Sequence, residues 1–198
     1  MDYSRFVVGY HGCDEETAKK ALLGQEPLRP SKNDYDWLGN GIYFWEQGPK
    51  RAFDFACEEA QRAKSKIKTP YVIGAYIFLG DCFDLLDTKF THLLKTAYPS
   101  FVAELEGLGH KVPENKKIRR DGTKLFHNLD RAVIEYTVRL LYEVEKREIQ
   151  TVRGVFWEGE EAFPGAQINE KSHIQIAVRD ENCVLGYFRP RNIDGATG

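Results

Sequence analysis

The sequence predicts an α+β fold, with strands toward both ends of the chain and helices between them. Three observations carry this expectation. Runs rich in Val, Ile, Phe and Tyr fall at 5–12, 42–45, 71–87, 151–159, 172–180 and 183–190. Patterns with helical spacing occupy 14–24, 49–66, 88–108 and 123–148. The order lacks the regular strand–helix alternation of a doubly wound sheet.

The elements follow in order. "RFVVGYHG" reads as a strand running into a glycine turn. Asp14 or Cys13 then caps the helix "EETAKKALLG", whose apolar face is Ala18, Ala21 and Leu22 and which Gly24 closes. The Pro- and Asx-rich stretch 25–36 reads as a loop. Ile42 to Trp45 form a short strand, and Pro49 opens an amphipathic helix. Residues 71–87 make two strands, or one bent at Gly80. Residues 88–108 are helical in character, and 109–122 form a polar loop with a basic cluster. The longest helical pattern, 123–148, carries an apolar stripe of Leu129, Val133, Tyr136, Leu140 and Val144. "TVRGVFWEG", "SHIQIAVRD" and "CVLGYFRP" close the chain as strands.

Composition narrows the function classes. The 198 residues fit one domain, placed at 1–190, with a flexible tail at 191–198. With 28 basic and 30 acidic side chains the net charge is −2, so no general polyanion-binding surface is implied. The four cysteines, Cys13, Cys57, Cys82 and Cys183, have neither zinc-site spacing nor a disulfide framework's pattern. The apolar run near the start is too short for a signal peptide, and no segment has the length of a membrane span. A reduced, cytoplasmic protein without a membrane partner is expected.

Three stretches carry the chemistry. "GYHGCD" places His11 and Gly12 at the end of the first strand. In "DWLGNGIYFWE", Gly39 and Gly41 precede a strand unusually rich in aromatic surface. In "SHIQIAVRD", His173 and Gln175 alternate with Ile174 and Ile176, so the two polar side chains share one face of a strand.

Taken together these stretches resemble the ADP-ribosyltransferase superfamily, on its diphtheria-toxin-like and poly(ADP-ribose)-polymerase branch. That branch has a His-Gly on its first strand, a Gly-x-Gly-(Ile/Phe)-Tyr-Phe strand, and an acidic residue opening a late strand. The likeness extends over residues 5–57, 71–83 and 172–188, including the spacing from Gln175 to Asp180. It implies a split β-sandwich, with 88–150 as a helical insertion in the middle of the chain.

The resemblance also implies NAD as substrate, cleaved between nicotinamide and ribose through an oxocarbenium-like transition state. His11 would hold the adenosine-side ribose, Gly12 the carboxamide through its backbone, and Tyr43 would stack on the nicotinamide ring. Gly41 would bring the strand close to the ligand. Asp54 stands where the branch has a second stacking Tyr, and Phe53 or Phe55 would replace it. Gln175 stands where the branch has its Glu; an amide holds a hydroxyl but supplies neither a base nor a charge. Either His173 acts as the acceptor-side base, or the carboxylate comes from Glu170 or from one of Glu158, Glu160 and Glu161.

The expected activity is mono-ADP-ribosyl transfer from NAD to a macromolecule, protein or nucleic acid. By analogy with small toxin and defence members, an antitoxin or immunity partner is expected too. NAD hydrolysis, and a non-catalytic NAD- or ADP-ribose-binding module, are the alternatives.

Overall fold

In a computed structural model the chain is described over residues 5–31, 36–117, 125–191 and 193. Most of the expected tail at 191–198, and most of the basic run 116–120, lie outside them. The described residues form a mixed α+β structure, with a seven-stranded sheet and four α-helices. The strands are β1 (Phe6–Asp14), β2 (Ile42–Glu46), β3 (Pro70–Phe78), β4 (Cys82–Asp84), β7 (Thr151–Phe156), β8 (His173–Val178) and β9 (Val184–Phe188). A two-stranded hairpin, β5 (Lys116–Lys117) and β6 (Leu125–Phe126), stands apart from the sheet. The helices are α1 (Glu15–Leu22), α2 (Pro49–Ala60), α3 (Thr88–Gly107) and α4 (Asn128–Glu145).

Local chemistry explains the boundaries. Asp14 caps α1 by accepting the Glu16 N–H, and Gly24 follows the helix at φ +67°. Pro49 starts α2, Asp87 caps α3, and Gly80 at φ +56° divides β3 from β4. Helix α2 ends at Ala60, short of the expected reach toward residue 66. Beyond it the sequence turns to Arg, Lys and Ser, with little apolar surface to bury.

The sheet order is β4-β7-β8-β2-β1-β3-β9. The expectation of two separate small sheets differs from this, because hydrogen bonding runs through all seven strands. The join in the middle is nevertheless narrow. β1 pairs with β3 along its whole length but meets β2 only at Gly9↔Glu46 and Tyr10↔Trp45. Beyond that point β1 and β2 are linked by His11, whose Nδ1–H donates to the Tyr43 carbonyl at 2.7 Å.

The sheet also has to bend. Only Leu79, Gly80 and Asp81 separate β3 from β4, which lie five strand positions apart. Four Cα steps span at most about 14 Å, whereas five strand spacings in a flat sheet need about 24 Å. The sheet therefore curls, and the largest core cluster fills the concave side. It contains Val7, Cys13, Ile73, Ala75 and Ile77 from one half and Ile42, Phe44, Ile176 and Val178 from the other, closed by Ala18 and Ala21 of α1. On the opposite face α2 covers β1 and β3, while α3 and α4 cover β2, β7 and β8.

Helix α4 buries two stripes where the sequence signalled one. Val133 and Tyr136 pack toward Phe101 of α3, as the expected stripe requires, whereas Val144 at its end is exposed. Ile134, Val138 and Leu141 form a second stripe against Phe83, Val152 and Ala177 of the sheet.

One close approach fixes α2. A Cβ on Gly12 would fall 2.0 Å from the Ala52 carbonyl oxygen, a backbone atom that moves only with its helix. Gly12→Ala should therefore cost about 1–3 kcal/mol of stability. Urea unfolding checks this, with an unchanged midpoint as the contrary result.

Candidate functional site

The alternation of side chains along each strand decides which of the expected residues meet. On the convex face, Gly12 of β1, Tyr43 and Trp45 of β2, and His173 and Gln175 of β8 point the same way. Trp45 and Gln175 are register partners. β7 adds Gly154 beside Gln175 and Phe156 beside His173. His11 lies on the concave face, its ring 5.7 Å from Phe44. It reaches the convex group only through its hydrogen bond to the Tyr43 backbone.

Tyr43 is half-buried and held at its tip. Its hydroxyl donates to the Gly39 carbonyl at 2.7 Å and accepts the Leu38 N–H at 3.0 Å, while its ring packs in the cluster with Leu38 and Phe83. Burial, followed by the Asp36 charge, pushes this phenol well above its ordinary range, so it stays protonated as the donor to Gly39. The two glycines of the motif serve neighbouring protein. Gly39 turns at φ +89°, and a Cβ there would strike the Glu135 carboxylate. A Cβ on Gly41 would lie 2.8 Å from the Val178 carbonyl oxygen. Gly41 also borders a cavity of about 510 Å³, together with Glu135 and Arg179.

Gln175 is buried, and its side-chain carbonyl accepts the Trp37 indole N–H at 2.6 Å. Trp37 fits there because Gly154 beneath it has no side chain; a Cβ would lie 2.6 Å from the indole edge. Around this pair the rings form a chain. Trp37 stands 5.3 Å from Phe156, Phe156 stands 5.5 Å from His173, and His173 stands 6.0 Å from Trp45. His127 joins it 5.2 Å from Phe156. Phe55 of α2 packs on Trp45 at 4.9 Å, and Phe53 belongs to the same cluster.

His173 is the chemically poised group. A backbone carbonyl can only accept, so the 2.5 Å contact to Lys171 O places the proton on Nδ1 and leaves the lone pair on Nε2. That Nε2 is buried and has no hydrogen-bond partner among the described residues, and the same is true of Trp45 Nε1 and Arg51 Nη1. Arg51 lies over the Trp45 ring at 5.8 Å and binds Glu158 through both its Nε and Nη2. The Glu158 carboxylate stands 3.8 Å from His173. These two N–H donors and one acceptor nitrogen belong to side chains that neighbour one another, an arrangement that suits a ligand group carrying both a lone pair and a proton.

Burial lowers the His173 pKa below its ordinary 6.5 and Arg51 adds to this, while the Lys171 carbonyl and Glu158 oppose it. Burial also lowers His11, against the pull of the Tyr43 carbonyl. Both imidazoles are therefore neutral at pH 7. In the unfolded chain they take up protons at a higher pH than in the folded one, so stability falls as pH drops through 6.5 toward the lowered folded values. Urea unfolding at pH 7.5 and pH 5.5 should show this loss, and His173→Gln should reduce it. An equal loss in the variant would contradict the assignment.

Other nucleophiles recede. All four cysteines are free, and burial pushes Cys13 and Cys82 up to about 12, so neither offers a thiolate. Among the described residues no group of three or more His, Cys, Asp or Glu side chains could hold a metal ion. No helix among them is long and apolar enough to cross a membrane.

Of the expected site residues, Gly12, Tyr43, Phe55, His173 and Gln175 share the convex face, and Phe53 packs beside them. His11 and Gly41 face elsewhere. Sequence reasoning missed Trp37, Trp45, Arg51, His127 and Phe156. Trp45 was within reach, since it stands two residues after Tyr43 and so on the same face. The four acids proposed for the missing carboxylate are also sorted: Glu158 stands beside His173, whereas Glu160, Glu161 and Glu170 are exposed.

No family model matches the chain, and no solved structure matches it. It is similar to an uncharacterized protein of the archaeon Methanocaldococcus jannaschii, 28% identical over 158 residues, covering 79% of this chain and 67% of that protein.

Proposed function

We propose that the protein cleaves NAD and transfers ADP-ribose to a macromolecular acceptor, as a mono-ADP-ribosyltransferase. The observation that carries this reading is the shared convex face of Gly12, Tyr43, His173 and Gln175, located where β1 parts from β2. The narrow join and the curl of the sheet support the split-sandwich architecture that the resemblance implies. Small toxin or defence proteins remain the analogous context, with an antitoxin or immunity protein as the regulatory partner.

The chemistry balances with the residues present. The bond between the nicotinamide nitrogen and the ribose anomeric carbon breaks, and its electron pair leaves with nicotinamide, which becomes neutral. The positive charge passes to the ribose, whose hydroxyl Gln175 is suited to hold. The acceptor's oxygen or nitrogen bonds to the anomeric carbon, and its proton goes to Nε2 of His173. Glu158 then stands beside the imidazolium that forms.

A second reading is favoured by one observation. The amide of Gln175 brings no charge to the oxocarbenium ion, and its carbonyl is engaged by Trp37. This suits an NAD- or ADP-ribose-binding module. Calorimetric titration with NAD tests both readings at their common step. Binding should be saturable and should weaken roughly tenfold or more in Gln175→Ala. No heat of binding in the folded wild-type protein would overturn both.

A further inference from the structure

The loop between β7 and β8, residues 157–172, is held by contacts within itself and to α2. Glu158 is clamped by Arg51, Lys171 pairs with Glu58 at 2.8 Å, and Ala162 N–H bonds the Ile168 carbonyl at 2.8 Å. Glu161 and Asn169 form a bridge, and the Glu161 carboxylate accepts the Gly165 N–H. An ordered loop of this kind ordinarily turns its large apolar side chains inward. Here Trp157, Phe163 and Ile168 are 67%, 61% and 63% exposed. Scattered exposed hydrophobics need no explanation, but three on one ordered loop beside a candidate site mark an interaction surface.

The charge on this surface selects the partner. Glu160, Glu161 and Glu170 are exposed and form no ion pair among the described residues, and the stretch 157–171 contains only one base, Lys171. Such a surface repels a phosphate backbone, whose binding rests on Lys and Arg. It attracts a basic polypeptide, whose apolar side chains can cover Trp157 and Phe163. Because the loop is already ordered, docking forfeits little conformational entropy there. We propose that the ADP-ribose acceptor is a protein, docked through a basic segment with apolar side chains on this loop. The inference rests on the transferase reading, with His173 and Glu158 at the loop's two ends marking where the acceptor nucleophile would enter.

The test offers NAD labelled in its adenylate half to the full chain, with core histones, an acidic serum albumin, total RNA or duplex DNA as acceptor. Nicotinamide release without acceptor is followed in parallel. Label should appear on histones well above albumin, and neither nucleic acid should be labelled. Trp157→Ser/Phe163→Ser should lower histone labelling about tenfold or more while leaving acceptor-free nicotinamide release unchanged. Glu160→Lys/Glu161→Lys/Glu170→Lys should lower it too, and should flatten its dependence on salt. Label on RNA or DNA, or histone labelling as strong in the double variant as in wild type, overturns the acceptor assignment alone. Absence of nicotinamide release from the wild-type protein under every condition overturns the transferase reading and this inference with it.

Discussion

His173→Ala should reduce ADP-ribosyl transfer by about 10²–10⁴-fold, the range of a lost general base. The expectation comes from three facts at one side chain. Lys171 fixes the tautomer, burial lowers the pKa below 6.5, and Nε2 is left without a partner among the described residues. Transfer should level off toward alkaline pH and fall on acidification, with its midpoint below 6.5, as the imidazole takes up a proton. Glu158→Gln removes the charge that favours the imidazolium, so it should move this midpoint further down. Nuclear magnetic resonance titration of the His173 ring reads the same shift without any turnover. A midpoint unmoved in Glu158→Gln would remove Glu158 from the account, and full transfer by His173→Ala would remove His173.

Arg153→Ala should destabilise the protein by about 3–5 kcal/mol, the effect of leaving buried charge uncompensated. Arg153 of β7 is 5% exposed and holds two carboxylates, Glu46 at 2.6 Å and Asp84 at 3.0 Å. Those carboxylates come from β2 and β4, so one guanidinium ties three strands of the half-sheet that also carries β8. The planar fork of Arg suits two carboxylates at once, and Lys in its place cannot reproduce both contacts. Total stabilities are commonly about 5–15 kcal/mol, so this single change should remove a large share of the total. Arg153→Met combined with Glu46→Gln and Asp84→Asn should recover much of the loss, because it removes the charges together. Denaturant midpoints separate the outcomes; a loss below about 1 kcal/mol in Arg153→Ala would mean that the pair contributes little.

The strands and helices were largely legible because each has a local cause in the chain. Asp14 capping α1, Pro49 opening α2 and Gly80 dividing β3 from β4 all act within a few residues of themselves. The pairing of His173 with Gln175 was legible for the same reason, since alternation along a strand is a local property. What could not be read was long-range. The second buried stripe of α4 exists because two surfaces, α3 and the sheet, meet one helix. The face His11 takes, beside Phe44, could not be read because the sequence near it does not say which side of β1 meets the core. Trp37 carries no local signal of its partner, yet its indole lands on Gln175, 138 residues away. Arg51 and Glu158 are 107 residues apart, and no motif in either segment announces their pairing.

On the proposed reading NAD is cleaved at the convex face that carries Gly12, Tyr43, His173 and Gln175. Release of nicotinamide from nicotinamide-labelled NAD tests it most directly, because breaking that bond is common to transfer and to hydrolysis. The wild-type protein should release labelled nicotinamide, and Gln175→Ala should release it far more slowly while remaining folded. Gln175→Glu should release it at least as fast as wild type, since a carboxylate there stabilises the oxocarbenium ion. Wild-type protein that binds NAD without releasing nicotinamide would contradict the claim and leave a binding module in its place.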